Sequence, residues 1–462
     1  MKFLFSVLAI FCFFSSDCAT LKIACRSKGM ELEMLRNAID VWIEKTGHQH
    51  KVEIIILPHS SNECFALYKQ WLSAESFDVD ILLMDVAWIS IFIRYLADLG
   101  EYYKLGEIGV GDYFDAIRQN IYSGEKMVAL PLFADCGIIY YRADLLKKYG
   151  KTVPSTWQGL YEIAEYIQTE ERKIHERKGM FFGYVFQAKA FEMLTCNVAE
   201  VINSFGGSIV KNRVAVMDSE ESLKAILFLA RCLERISCRS VLNYTEEDAR
   251  GMFQSGNAVF MRSWPYAWSL LNDPSTMVAG KVGVMAVPSG VSGGKSSGVL
   301  GGWSITLSKY SKHKSIAADL MKFLAGKEQQ RQRSKYSYMP TFRSLYQDPY
   351  VQSNIPFSDI LYHSLQNAVS RPSADFAQNY AKASAEIYNA VNSILADCAE
   401  TGVQTSSIKR SLTRLNRKLN AFLKKTHGIK EPRDEDGVWL RLKKFLGLEK
   451  DETTVDEIKT TN

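Results

Sequence analysis

With 462 residues, 47% of them hydrophobic and 23% charged, the chain has an ordinary globular composition and is too long for one hydrophobic core. This excludes a disordered or fibrous protein and points to two lobes of common domain size. A formal net charge of +5 over this length gives no reason to invoke nucleic acid.

Met1 and Lys2 precede an apolar stretch over residues 3–14 that is too short to span a membrane as a mature helix and is followed by small residues, the pattern of a secretory signal. Residues 1–19 are expected to leave on export, with cleavage after Cys18 or Ala19. Asp17 beside Cys18 is wrong for a lipoprotein signal, so no lipid is expected. Beyond this segment no apolar run approaches the roughly 20 residues that cross a bilayer. The cysteines that follow are Cys25, Cys64, Cys136, Cys196, Cys232, Cys238 and Cys398. An odd set leaves at least one thiol without an intramolecular partner, and most sit beside apolar residues, as small buried hydrophobes do. His48, His50 and His59 ahead of Cys64 are the nearest approach to a metal cluster. A predicted strand separates the first two from the rest and no C-x-x-C occurs, so no metal and no other cofactor is expected.

Residues 21–25 read as a strand and 31–44 as a helix with apolar Leu32, Leu35, Ile39 and Ile43; 52–57 follow as a strand, 66–72 as a helix and 79–84 as a strand. This alternation implies a mostly parallel sheet covered on both faces. Ligands sit beyond the carboxyl ends of strands in such sheets, and Asp85 falls immediately after one. Residues 129–150, ALPLFADCGIIYYRADLLKKYG, place Asp135 inside an apolar run, where a carboxylate is buried or lines a cleft and needs partners. The run then changes to helical period through Ala143, Leu145, Leu146 and Tyr149, closed by Gly150.

Helices are predicted over 157–168, 191–204, 219–236 and 245–255, then strands over 258–261 and 282–287. Residues 289–298, rich in Gly and Ser, read as a mobile surface loop. A strand over 305–307, a helix over 315–324 and two helices within 362–395 complete the pattern. The basic series Lys409, Arg410, Arg414, Arg417, Lys418, Lys424 and Lys425 is interleaved with Ile408, Leu412, Leu415, Leu419 and Phe422, so it reads as the solvated face of a packed helix. Residues 428–462 read as a charged C-terminal tail. Within it Val438, Trp439, Leu442, Phe445 and Leu446 fall on one helical face, fit for a membrane surface, a transporter or the protein's own surface.

Several blocks carry a family resemblance: Asp85-Val86-Ala87-Trp88, Pro131 with residues 137–146, Pro154 with Thr156-Trp157, Phe186-Gln187, residues 262–268 (RSWPYAW), Leu300-Gly301-Gly302-Trp303, Pro340-Thr341 and Arg371-Pro372. In order and spacing they resemble the extracellular sugar-binding proteins of bacterial ABC transporters, family 1, of the trehalose/maltose type, over nearly all of residues 21–425. The resemblance implies an α/β periplasmic-binding-protein fold: two discontinuous lobes joined by a multi-strand hinge, with the ligand in the interlobe cleft. It implies crossings near 131–135, 288–301 and 339–345, hence one lobe from 20–131 and 299–343 and the other from 132–298 and 344–427.

Sugar recognition requires carboxylates and guanidinium groups for paired hydroxyls and aromatic faces for ring C–H groups. By resemblance Asp85, Asp135 and Glu31 are the acidic contacts, Arg371 the basic one, and Trp264, Tyr266 and Trp303 the stacking rings, with Gly301 and Gly302 admitting a ligand close to the backbone. Where some relatives carry an arginine at the start of the helix after the second strand, this chain has Cys64 or Phe65, with Gln70 a candidate substitute. The reading is a monomeric periplasmic binding component without enzymatic activity, which passes a disaccharide to an inner-membrane permease. The alternatives are a polyol, another oligosaccharide or glycerol phosphate, a ferric-ion binder using Tyr140 and Tyr141, and a glycoside hydrolase using Asp85 and Asp135.

Overall fold

The structure is a computed structural model that describes residues 18–26, 30–58, 60–104, 106–174, 179–296 and 298–428. Most of the expected signal segment, His59 and the apolar face of the C-terminal tail lie outside the described residues.

Nine strands build two sheets: β1 (Thr20–Arg26), β2 (Lys51–Leu57), β3 (Ile81–Asp85), β4 (Leu130–Cys136), β5 (Ile138–Arg142), β6 (Phe182–Val185), β7 (Ala258–Ser263), β8 (Val282–Ala286) and β9 (Leu300–Leu307). The first sheet has the order β2-β1-β3-β9-β4 and the second β8-β5-β7-β6. β1 runs parallel to β2 and β3, whereas β9 is antiparallel to both β3 and β4. In the second sheet only β7 and β6 are parallel. The sheet predicted as mostly parallel is therefore mixed, because β9 enters from the other half of the chain.

The longer helices are α1 (Glu31–Lys45), α2 (Ser61–Ser73), α3 (Trp157–Ile174), α4 (Glu192–Ser204), α5 (Glu220–Arg235), α6 (Glu246–Gln254), α7 (Lys314–Ala325), α8 (Tyr380–Thr401) and α9 (Thr405–His427). Each turns an apolar stripe inward, as α1 does with Met34, Leu35, Ala38, Ile39 and Trp42. In α9 Ile408, Leu412, Leu415, Leu419 and Leu423 are buried, and the basic side chains between them face outward. The seven cysteines after Ala19 are buried and unbridged, and burial pushes the Cys64 thiol up to about 11.

β4 remains paired with β9 as far as Cys136, so Gly137 is where the backbone leaves the first sheet for β5 in the second. A Cβ on Gly137 would lie 1.7 Å from Glu200 Oε2, which no side chain survives. The return runs from β8 to β9, exposed over Val291 to Lys295. Two further segments flank these crossings: Ala134 N–H donates to Met339 O at 2.9 Å, and Leu300 N–H to Val369 O at 2.8 Å. Under them Glu200 of α4 forms a fully buried pair with Arg262, at 2.8 and 3.0 Å, and its Oε2 accepts the Val299 N–H at 3.1 Å.

Candidate functional site

Asp85 ends β3, and in the register of the first sheet Trp303 lies opposite it while Gly301 lies opposite Asp135. The central antiparallel strand thus sets an indole and a bare backbone position between two carboxylates. Gly302 adopts φ +111°, and a Cβ there would sit 2.5 Å from Phe133 O. A Cβ on Gly301 would meet the Trp264 ring at 2.9 Å. The second sheet brings Trp264 and Tyr266 just past the end of β7, where the Tyr140 hydroxyl lies 3.0 Å from the carbonyls of Trp264 and Pro265. Tyr140 thus anchors this turn, and its hydroxyl is engaged there rather than at a metal.

Glu31, Asp85, Asp135, Trp264, Tyr266, Gly301, Trp303 and Arg371 all line one narrow cleft, with about 50 Å³ of free space. Arg371 pairs with Asp85 through Nη2 and with Glu192 through Nη1 at 2.8 Å, joining the end of β3 to the first turn of α4. Burial works against the charge on Arg371, but its acidic neighbours, led by Asp85, together outweigh this and hold the guanidinium protonated well above the usual range. Asp85 also accepts the Ala87 N–H at 2.8 Å, and Glu192 accepts from the Tyr380 and Ser384 hydroxyls, each at 2.6 Å. Tyr266 donates to Glu247 at 2.7 Å and stacks near Tyr338. The aromatic rings are more covered than stacking platforms need: Trp303 is 5% and Trp264 8% exposed, each under a guanidinium, Arg26 and Arg262 respectively.

The same cleft is lined by Arg26, Glu192, Glu246 and Tyr338, which were not singled out from the sequence. Arg26 ends a strand, the position that drew attention to Asp85; Tyr338 stands beside the Pro340-Thr341 block. Glu192 and Glu246 gave no such signal, because an acidic residue in a helix's first turn is commonplace. Gln70 does not replace a missing arginine: it is exposed on the solvent face of α2 and does not line the cleft. Cys64 is buried, its thiol donating to Pro58 O. Among the described residues no group of three His, Cys, Asp or Glu side chains is placed to hold a metal ion.

Residues 36–331 match the family model described as bacterial extracellular solute-binding protein. A probable ABC transporter-binding protein of Deinococcus radiodurans is 38% identical over 401 residues, 86% of this chain and 93% of the relative. Among solved structures, maltose-bound MalE3 of T. maritima is 32% identical, with a TM-score of 0.79 over 87% of this chain and 100% of that one. A solute-binding protein from Agrobacterium radiobacter K84 in complex with ribitol shares the fold at 20% identity, with a TM-score of 0.73 over 87% of this chain and 98% of that one.

Proposed function

Because this chain belongs to the bacterial extracellular solute-binding proteins, we propose that its cleft binds a disaccharide of the trehalose, maltose or sucrose type by hinge closure and delivers it to an ABC permease. The observation that carries this reading is the convergence of carboxylates, guanidinium groups and aromatic rings from both sheets on one cleft. Five carboxylates, Glu31, Asp85, Asp135, Glu192 and Glu246, face two guanidinium groups, Arg26 and Arg371. That acidic surplus disfavours a phosphate ester and suits a neutral polyhydroxylated ligand, whose hydroxyls donate to carboxylates.

The closing units are residues 20–136 with 299–343 and residues 137–298 with 344–427, the expected crossing near 131–135 moving to Gly137 because β4 stays paired with β9 through Cys136. The protein works as an exported monomer in the periplasm, with residues 1–19 removed, and makes no bond in its ligand. T. maritima MalE3 with maltose bound, at 32% identity, favours the disaccharide; the ribitol complex keeps a polyol as the second reading.

Incubation of the purified protein with saturating maltose, trehalose or sucrose tests binder against enzyme. Saturable binding without released monosaccharide is expected, with affinity at least tenfold lower in Asp135→Asn, about 1.4 kcal/mol. Steady release of monosaccharide that Asp135→Asn abolishes would make the protein a glycosidase and overturn the reading.

A further inference from the structure

Arg26 has a place that neither the resemblance nor the fold explains. Its guanidinium carbon lies 3.6 Å from the centre of the Trp303 ring, so the two planar groups are in contact across one face of the indole. Nη2 donates to Glu31 Oε1 at 2.7 Å, with both side chains almost fully buried. Nε is buried as well and meets no acceptor among the described residues. A buried N–H left without an acceptor is costly, and a guanidinium clamped between an indole and a carboxylate is not free to turn away and find one. Arg26 lines the cleft beside Glu31, so a ligand oxygen there would complete the donor set.

We infer that Arg26 is a ligand-binding residue that sets specificity at this end of the cleft. Its Nε–H donates to a hydroxyl or ring oxygen of the bound sugar or polyol, while Trp303 holds the guanidinium flat instead of stacking on a sugar ring. The inference rests on the sugar-or-polyol reading of the cleft and refines it. This end selects a ligand presenting an oxygen at its edge, and discriminates poorly for an apolar ring face.

The test is calorimetric titration of the wild type, Arg26→Met, Arg26→Lys, Trp303→Ala and the Arg26→Met/Trp303→Ala double variant with maltose, trehalose and ribitol. Circular dichroism confirms the fold of each variant. Arg26→Met is expected to weaken the best-bound probe at least tenfold. Arg26→Lys should fail to restore it, since an ammonium lacks both the plane and the Nε donor. Trp303→Ala should lose a similar factor alone and nothing further in the Arg26→Met background. Unchanged or tighter binding by Arg26→Met, or single losses that multiply in the double variant, would overturn the inference and return Trp303 to the role of sugar platform. If Arg26→Met does not fold, rescue of wild-type affinity by Arg26→Lys is the overturning result. A wild type that binds none of the probes removes the sugar-or-polyol reading itself, and this inference with it, an outcome distinct from failure at Arg26 alone.

Discussion

At the scale of single residues, the cleft depends on two adjacent glycines doing different work. Gly302 has a φ of +111° and no room for a Cβ against the backbone of Phe133, which cannot yield. Gly302→Ala is therefore expected to destabilise the protein by about 1–3 kcal/mol, read as a lower urea midpoint with unchanged slope. A Cβ at Gly301 meets the Trp264 ring at 2.9 Å and the Asp135 Cβ at 3.1 Å, two residues of the cleft, so its cost falls on the cleft as well as on the fold. The sequence made part of this legible. Asp135 stood out because its neighbours are apolar, and the two glycines because they precede a tryptophan. Arg26 opens an Arg-Ser-Lys-Gly string that looks like a solvated turn, which masks its place at the end of β1 and its contact with Trp303.

Secondary-structure elements were legible in proportion to their length and periodicity. α9 shows this best: the apolar period alone assigned its face, apart from the last turn, where Leu423 is buried more deeply than Phe422. Leu415→Ala is expected to cost about 2–5 kcal/mol in chemical denaturation, whereas Lys409→Ala or Arg410→Ala, both exposed, should stay within about 0.5 kcal/mol. β9 was legible only over 305–307, because glycines at 301 and 302 break a strand pattern; pairing on both sides forms the strand regardless. α6 begins with a capping box in which Asp248 accepts from both the backbone N–H and the hydroxyl of Thr245, at 2.8 and 2.7 Å. These bonds, led by the one from the hydroxyl, hold the Asp248 carboxyl below its usual value. A depressed carboxyl contributes stability above the unfolded aspartate value of about 3.9 and loses it as pH falls through the lower, folded value. Asp248→Asn should therefore lower the thermal midpoint slightly at pH 7, and the difference from wild type should shrink as the pH is brought below about 4. Since α6 starts with Glu246 on the cleft wall, loosened capping should also weaken ligand binding.

Across the whole molecule, the two sheets meet over the buried Glu200–Arg262 pair, which touches both crossings through Gly137 and Val299. Removing one partner leaves a charge buried without its counterpart, so Glu200→Ala is expected to cost about 3–5 kcal/mol, with near-ultraviolet circular dichroism reporting lost tertiary order. This arrangement was not legible in the sequence, because Glu200 and Arg262 are distant in the chain and each sits in an apolar stretch with no local partner. The two-sheet architecture was more accessible, through alternating strands and helices and through the resemblance, although the mixed direction of the first sheet follows only from seeing where β9 inserts.

Calorimetric titration of the purified protein decides whether this cleft takes a neutral sugar. The titrants are maltose, trehalose, sucrose, ribitol, mannitol, glycerol phosphate and ferric ion. One-to-one saturable binding of a disaccharide is expected, with polyols weaker and glycerol phosphate and ferric ion inert; binding of glycerol phosphate or ferric ion with every sugar and polyol silent would overturn the proposed function.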